Sequence, residues 1–208
     1  LAYHLDKRER GFARLIDVWG ADHHGYIPRM RGALVALGEP GECLEVCLIQ
    51  FVSLFRGGEK VAMGKRDGNF VTLRQLREEV GNDACRLFYL MRSHDQPLDF
   101  DLELAKSRSN DNPVYYIQYA HARVASVMKQ LAARGLEFDR ERALGALARL
   151  DGPQEAAVLT AIARYPEVIA QAATNRTPHT LVHYLRELAQ AFHTWYNAAT
   201  FIVEDAAT

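Results

Sequence analysis

The sequence lacks any run of apolar residues approaching the ~20 needed to cross a bilayer, and its start shows no signal-peptide layout. A cytoplasmic chain with no membrane partner is expected. An excess of charge of one sign is also missing. Twenty-five Lys and Arg stand against 26 Asp and Glu, and a net charge of −1 argues against an indiscriminate polyanion binder. A local basic patch for RNA remains compatible with that balance. Cysteine is scarce: Cys43, Cys47 and Cys85 leave one over under any intramolecular pairing, and none stands at zinc-ligand spacing with His23 or His24. They read as reduced and structural, with no metal site. Repeats and low-complexity tracts are absent. What is there is 208 residues with 49% hydrophobic content, enough for a sizeable core in one or two domains.

The chain is organised around residues 59–73, a basic, glycine-punctuated loop between a short apolar strand and a helix. Lys65 and Arg66 are adjacent cations, and Gly64 and Gly68 remove bulk where a ligand would approach. Thr72 with Gln75 makes the capping-box pattern that starts the next helix. That chemistry suits phosphate, while a solvated hairpin turn ahead of an ordinary cap is the competing account. The run resembles the second signature loop of class I aminoacyl-tRNA synthetases, in the arginyl form that continues as Gly-Asn-Phe-Val-Thr-Leu over 68–73. The resemblance implies a loop that closes on ATP, contributing Met63, Gly64 and Lys65. Lys65 would stabilise charge developing on pyrophosphate as the amino acid carboxylate attacks the α-phosphate. Ala62 stands in place of the pattern's first lysine and Gly64 in place of its serine, which leaves Lys60 or Arg66 to share the missing charge.

Before that loop, residues 1–10 open in the middle of a helical pattern without an initiator methionine, as in a piece of something longer. Residues 14–19 read as a short buried strand, and a helix follows through Ile27, Met30, Leu34 and Leu37, stopped by Gly38. The turn between them sits at the carboxyl end of a strand, where open α/β sheets bind ligands. Gly20 would let the backbone approach a nucleotide, Asp22 would accept from ribose hydroxyls, and His23 and His24 add donors and acceptors. Alternatively Asp22 caps the helix and the histidines are surface residues. The run Gly-Ala-Asp-His-His-Gly-Tyr, then Pro-Arg, is similar to the turn of bacterial-type arginyl-tRNA synthetases. That likeness implies that Gly20 and Asp22 contact the ribose of ATP and that His23 and His24 line the nucleotide site and amino acid pocket.

Residues 44–52 read as a parallel strand covered on both faces, and Leu73, Leu76 and Val80 as the core side of the helix after the loop. Residues 96–101 read as a break beyond which strands disappear. A charged helix over 102–109 precedes Asn112, a cap, and Pro113, a first helical residue. The long helix that follows carries the stripe Val114, Ile117, Ala120, Val124, Val127 and Leu131, together with Tyr116, Tyr119 and Arg123. Tyrosines beside a cation suit unpaired bases, although packing at the rim of a core is the commoner use of such rings. Asn112–Arg123 is again similar to arginyl-tRNA synthetases, where it opens the helical domain that binds the anticodon stem and loop. The likeness implies tRNA contacts at Tyr116, Tyr119 and Arg123. The remainder is helical over 140–150, over 153–174 with a break at Pro166, and over 178–204. Leu181, Leu185, Leu188, Phe192, Trp195 and Ala199 are expected on the core face of the last helix, and His179, His183 and His193 without special role.

The expected fold is therefore mainly α with a small α/β part. A partial Rossmann-like catalytic domain, its second half, spans 1–98, and an α-helical anticodon-binding bundle, short at its end, spans 99–208. The family's other signature, His-Ile-Gly-His, does not occur in the sequence. The resemblance implies an arginine-tRNA ligase that takes ATP with Mg²⁺, arginine and tRNA(Arg) as a monomeric parent, this stretch being inactive alone. A non-catalytic tRNA-binding module and another class I synthetase of the same architecture are the alternatives.

Overall fold

A computed structural model describes residues 1–63 and 70–203. Two compact units divide the chain, one built from Leu1–Val61 and Arg92–Phe100, the other from Ala62–Met91 and the chain from Asp101 on.

The first unit opens with helix α1 (Ala2–Glu9), then strand β1 (Leu15–Gly20), a 3₁₀ turn (Ala21–Tyr26), helix α2 (Ile27–Ala36) and strand β2 (Leu44–Ile49). Pro28 sits in the first turn of α2, where its missing N–H costs nothing, and Gly38 ends the segment at φ +84°. β1 and β2 pair in parallel, Leu15 opposite Leu44 through Gly20 opposite Ile49. Leu15 and Leu44 pack with Leu34 of α2 and with Cys43, and Met30 and Val46 close the cluster. Helix cover exists on that face alone among the described residues. Ile16 and Val18, which point to the other face, are 43% and 66% exposed, so the expectation of a sheet covered on both sides is not met. His4 Nε2 lies 2.7 Å from Asp17 Oδ2 and ties α1 to β1.

Residues 44–52 do not form one strand. The ladder stops at Ile49, and Gln50 N–H turns away to donate to the His94 carbonyl at 2.8 Å. Strand β3 (Val52–Arg56) then belongs to a second sheet, paired with β4 (Glu59–Lys60) across Gly57 and Gly58, both at positive φ. On its other side lies β5 (Leu98–Asp101), in the stretch that reads from sequence as a break. Leu98 and Phe100 are buried while Asp99 is exposed, a period of two carried by only four residues, too short to stand out among flanking Pro and Asp.

In the second unit, α3 (Leu73–Val80) starts at the expected capping box. Thr72 Oγ1 accepts from Gln75 N–H at 3.2 Å, and Gln75 Oε1 accepts from Thr72 N–H at 2.8 Å. Leu76 is buried, but Leu73, at the first helical position, stands exposed. Gly81 at φ +85° separates α3 from α4 (Asn82–Tyr89), whose Ala84, Cys85 and Phe88 are buried. Helix α5 (Leu102–Lys106) is shorter than expected. Ser107 is extended at ψ 144°, and its hydroxyl donates to the Leu104 carbonyl. Asn112 caps α6 (Pro113–Ala133) through Oδ1 to Val114 N–H, and its amide donates to the carbonyls of Ala105 and Ser107.

The rest of the bundle is α7 (Arg140–Gly145), α8 (Pro153–Ala163), α9 (Tyr165–Asn175) and α10 (Pro178–Ala198), with α10 packing on α6, α8 and α9. Gly145 ends α7 early, and a short 3₁₀ turn over Leu147–Arg149 completes the segment expected as one helix. The break expected at Pro166 falls between α8 and α9. α10 stops at Ala198 rather than running to 204. Ala199 turns extended, and Phe201 folds back onto Trp195 and Tyr196, with ring centroids 4.5 and 5.4 Å apart. Its buried line is Val182, Ala189 and His193, beside the leucine stripe rather than on it. Val124 of the α6 stripe is likewise exposed. The architecture is mainly α with a small α/β part.

Candidate functional site

In the first unit, a cavity of about 580 Å³ opens where β1 ends and the 3₁₀ turn begins, lined by Val18, Trp19, Gly20, His23, Tyr26 and Met30. Gly20 and His23 are residues expected at a nucleotide. The Asp22 carboxylate folds over the bare backbone of Gly20, where a Cβ would stand 2.6 Å from Asp22 Oδ1. Asp22 does not cap α2, because the cap position is Tyr26 and no side-chain bond forms there. Its Oδ2 faces His23 Nε2 at 3.7 Å with both side chains open to solvent, which leaves the carboxylate free for a hydroxylic ligand. His24 turns back on its own turn, Nδ1 3.2 Å from the Ala21 carbonyl, and is not among the lining residues described. Trp19, Tyr26 and Met30 escaped the sequence reading. They supply the apolar walls a base or an aliphatic side chain needs, and only the turn's place at a strand end hinted at them. Met63 is exposed, while Gly64, Lys65 and Arg66 lie outside the described residues.

In the second unit, Arg123 of α6 is clasped between two rings. Its guanidinium carbon lies 4.5 Å from the centroid of Tyr119 and 4.5 Å from that of Tyr196. Arg123 Nη1 donates to His193 Nδ1 at 3.0 Å, and His193 Nε2 donates to the Tyr116 carbonyl at 3.1 Å. The Tyr116 and Tyr119 rings pack against His193 at 4.6 and 5.5 Å, and Tyr115 stacks on Tyr119 at 5.8 Å. Tyr116, Tyr119 and Arg123, the three residues expected on tRNA, thus meet in one cluster. Tyr196 and His193 on α10 complete it, a pairing that spacing within α6 could not reveal. Tyr119 is 38% exposed, so part of its ring faces solvent beside the half-buried Arg123.

Residues 117–208 match the family described as DALR anticodon binding domain. Over 207 residues the chain is 58% identical to an arginine–tRNA ligase of Thioalkalivibrio sulfidiphilus and 60% identical to one of Halorhodospira halophila. Along its whole length the chain is similar to arginyl-tRNA synthetases. All of it is covered in both matches, and it spans 35% of the length of either relative. An arginyl-tRNA synthetase structure from Campylobacter jejuni superposes with TM-score 0.84 at 36% identity, over 98% of this chain and 43% of that one. The Thermus thermophilus arginyl-tRNA synthetase shares the fold at TM-score 0.64 and 22% identity, over 91% of this chain and 34% of its own. Anticodon binding, in the family description, falls on the helices that carry Tyr119, Arg123, His193 and Tyr196.

Proposed function

We propose that the chain is part of an arginine-tRNA ligase that activates arginine with ATP and transfers it to tRNA(Arg). Residues 1–98 serve the catalytic domain and 99–208 the anticodon-binding domain. Gly20, Asp22, His23 and His24 bind ATP with Met63, Gly64 and Lys65, the two histidines also bordering the arginine pocket. Lys65 and Arg66 meet the phosphates. Mg²⁺ enters on the phosphates of ATP. Tyr116, Tyr119 and Arg123 bind tRNA. The observation that carries this reading is the cavity at the end of β1, where Gly20 and His23 lie beside Trp19 and Tyr26.

ATP–pyrophosphate exchange tests it. With arginine and tRNA(Arg), the full-length parent exchanges, and Lys65→Ala slows adenylate formation by about 10²–10³-fold, the usual scale for a preorganised electrostatic group. An unchanged rate removes Lys65 from the mechanism. The 208-residue chain alone shows no exchange, and the parent sediments as a monomer. A non-catalytic tRNA-binding module is the second reading, favoured by a Tyr–Arg–Tyr cluster that forms wholly inside the second unit. Salt-dependent tRNA binding by a full-length parent without exchange would select it. Charging of another amino acid by that parent would select a different class I synthetase. No helix among the described residues is long and apolar enough to cross a membrane, and we place the protein in the cytoplasm.

A further inference from the structure

A groove of about 350 Å³ runs between the start of α6 and the middle of α10, lined by Asn110, Tyr116, His183, Arg186, Glu187 and Gln190. Its lining is rich in donors. Arg186, an exposed residue with five N–H donors, lines the groove and has no hydrogen bond or ion pair among the described residues. Glu187 is the one acid in the lining and is neutralised from outside, its Oε2 3.2 Å from Arg164 Nη1. The uncompensated charge facing the groove is therefore that of Arg186. Pro113, the first residue of the 21-residue helix α6, also borders it, so the positive end of the helix dipole adds to that potential. Tyr116 belongs both to this groove and to the aromatic cluster, which makes the two surfaces adjoin.

We propose that the groove is a phosphodiester site for the RNA strand whose base stacks on the Tyr119–Arg123 cluster. Arg186 grips the two non-bridging oxygens of one phosphate, and the amides of Gln190 and Asn110 donate to the phosphate or the adjoining ribose. This rests on the reading of the bundle as a tRNA surface. An apolar ligand would find few partners here, and a metal ion would find one carboxylate already paired.

The test titrates the 208-residue chain with a tRNA(Arg) transcript over a salt series. Arg186→Gln should weaken binding about tenfold and flatten the slope of log K against log salt by about 0.7–0.9, one phosphate contact. Arg186→Lys should keep the slope and lose affinity, because the charge stays and the fork is lost. Arg140→Gln, on α7, should change neither. A transcript carrying one neutral methylphosphonate at the contacted position should bind wild type as weakly as Arg186→Gln binds native RNA, and should not weaken that variant further. Unchanged affinity for Arg186→Gln, while Tyr119→Ala weakens binding, overturns the groove and leaves the RNA surface standing. Loss of affinity with an unchanged salt slope also overturns the groove. A wild-type chain that binds no tRNA overturns both.

Discussion

Arg123 and His193 are locked in one donor–acceptor direction: the guanidinium donates to Nδ1 at 3.0 Å, so that nitrogen carries a lone pair and the proton resides on Nε2, 3.1 Å from the Tyr116 carbonyl. His193→Phe fills the same space without either bond. It strands a guanidinium N–H in a half-buried place, while the Tyr116 carbonyl keeps its helix bond, and urea unfolding should show a loss of about 1–3 kcal/mol. A change within a few tenths would mean that the bonds add nothing beyond ring packing.

Arg123→Lys keeps the charge and loses the flat surface that lies between Tyr119 and Tyr196. Each cation–ring contact is worth about 0.5–1 kcal/mol at an exposed site and more when desolvated, so a stability loss of about 1–2 kcal/mol is expected. tRNA affinity should fall with it, read by the same titration. Full affinity in the lysine variant would show that charge alone suffices.

Thr72→Ala removes the hydroxyl that receives Gln75 N–H and should cost about 0.5–2 kcal/mol. The loss is local. Hydrogen exchange should speed up in the first turn of α3, directly after the signature loop, before it does in α6.

Phe88 is 2% exposed among Leu76, Ala84 and Cys85, which are also buried, and Phe88→Ala should destabilise the second unit by about 3–5 kcal/mol in denaturant unfolding. A smaller value would mean that the α3–α4 pair collapses around the gap.

Burial pushes the Cys85 thiol upward, against a smaller pull from Arg77, and raises the hydroxyls of Tyr89 and Tyr184 in the same way. In each case the folded state holds its proton where the unfolded chain has lost it. Stability should therefore be flat at neutral pH and fall above pH about 8.5, as the ordinary thiol value is passed. Thiol titration of the native chain should modify half-buried Cys47 first, with Cys43 and Cys85 following only on unfolding.

The capping box at Thr72, the proline starts of α6, α8 and α10 and the break at Pro166 could all be read from sequence, because each is set by neighbours within four residues. β5 could not, since Leu98 and Phe100 make sense only beside β3, more than 40 residues earlier by sequence number. The end of α10 was hidden for a similar reason: Ala198 and Ala199 favour helix locally, and Phe201 wins by packing on Trp195. Gly20, Tyr119 and Arg123 were legible as chemistry. Tyr196 and His193 were not, because what matters about them is a partner on another helix 70 residues away.

Helices α3 and α4 have a practical bearing on how the molecule is cut. Lys106 reaches back to Glu79 at 3.1 Å, and Gln118 to Asp83 at 2.9 Å. An expression product starting at Asp99 would leave both acceptors behind and strip the cover from Leu102 and Ala105, exposing a greasy shoulder where none exists in the intact chain. Aggregates from such a product would report the missing helices rather than the behaviour of the bundle.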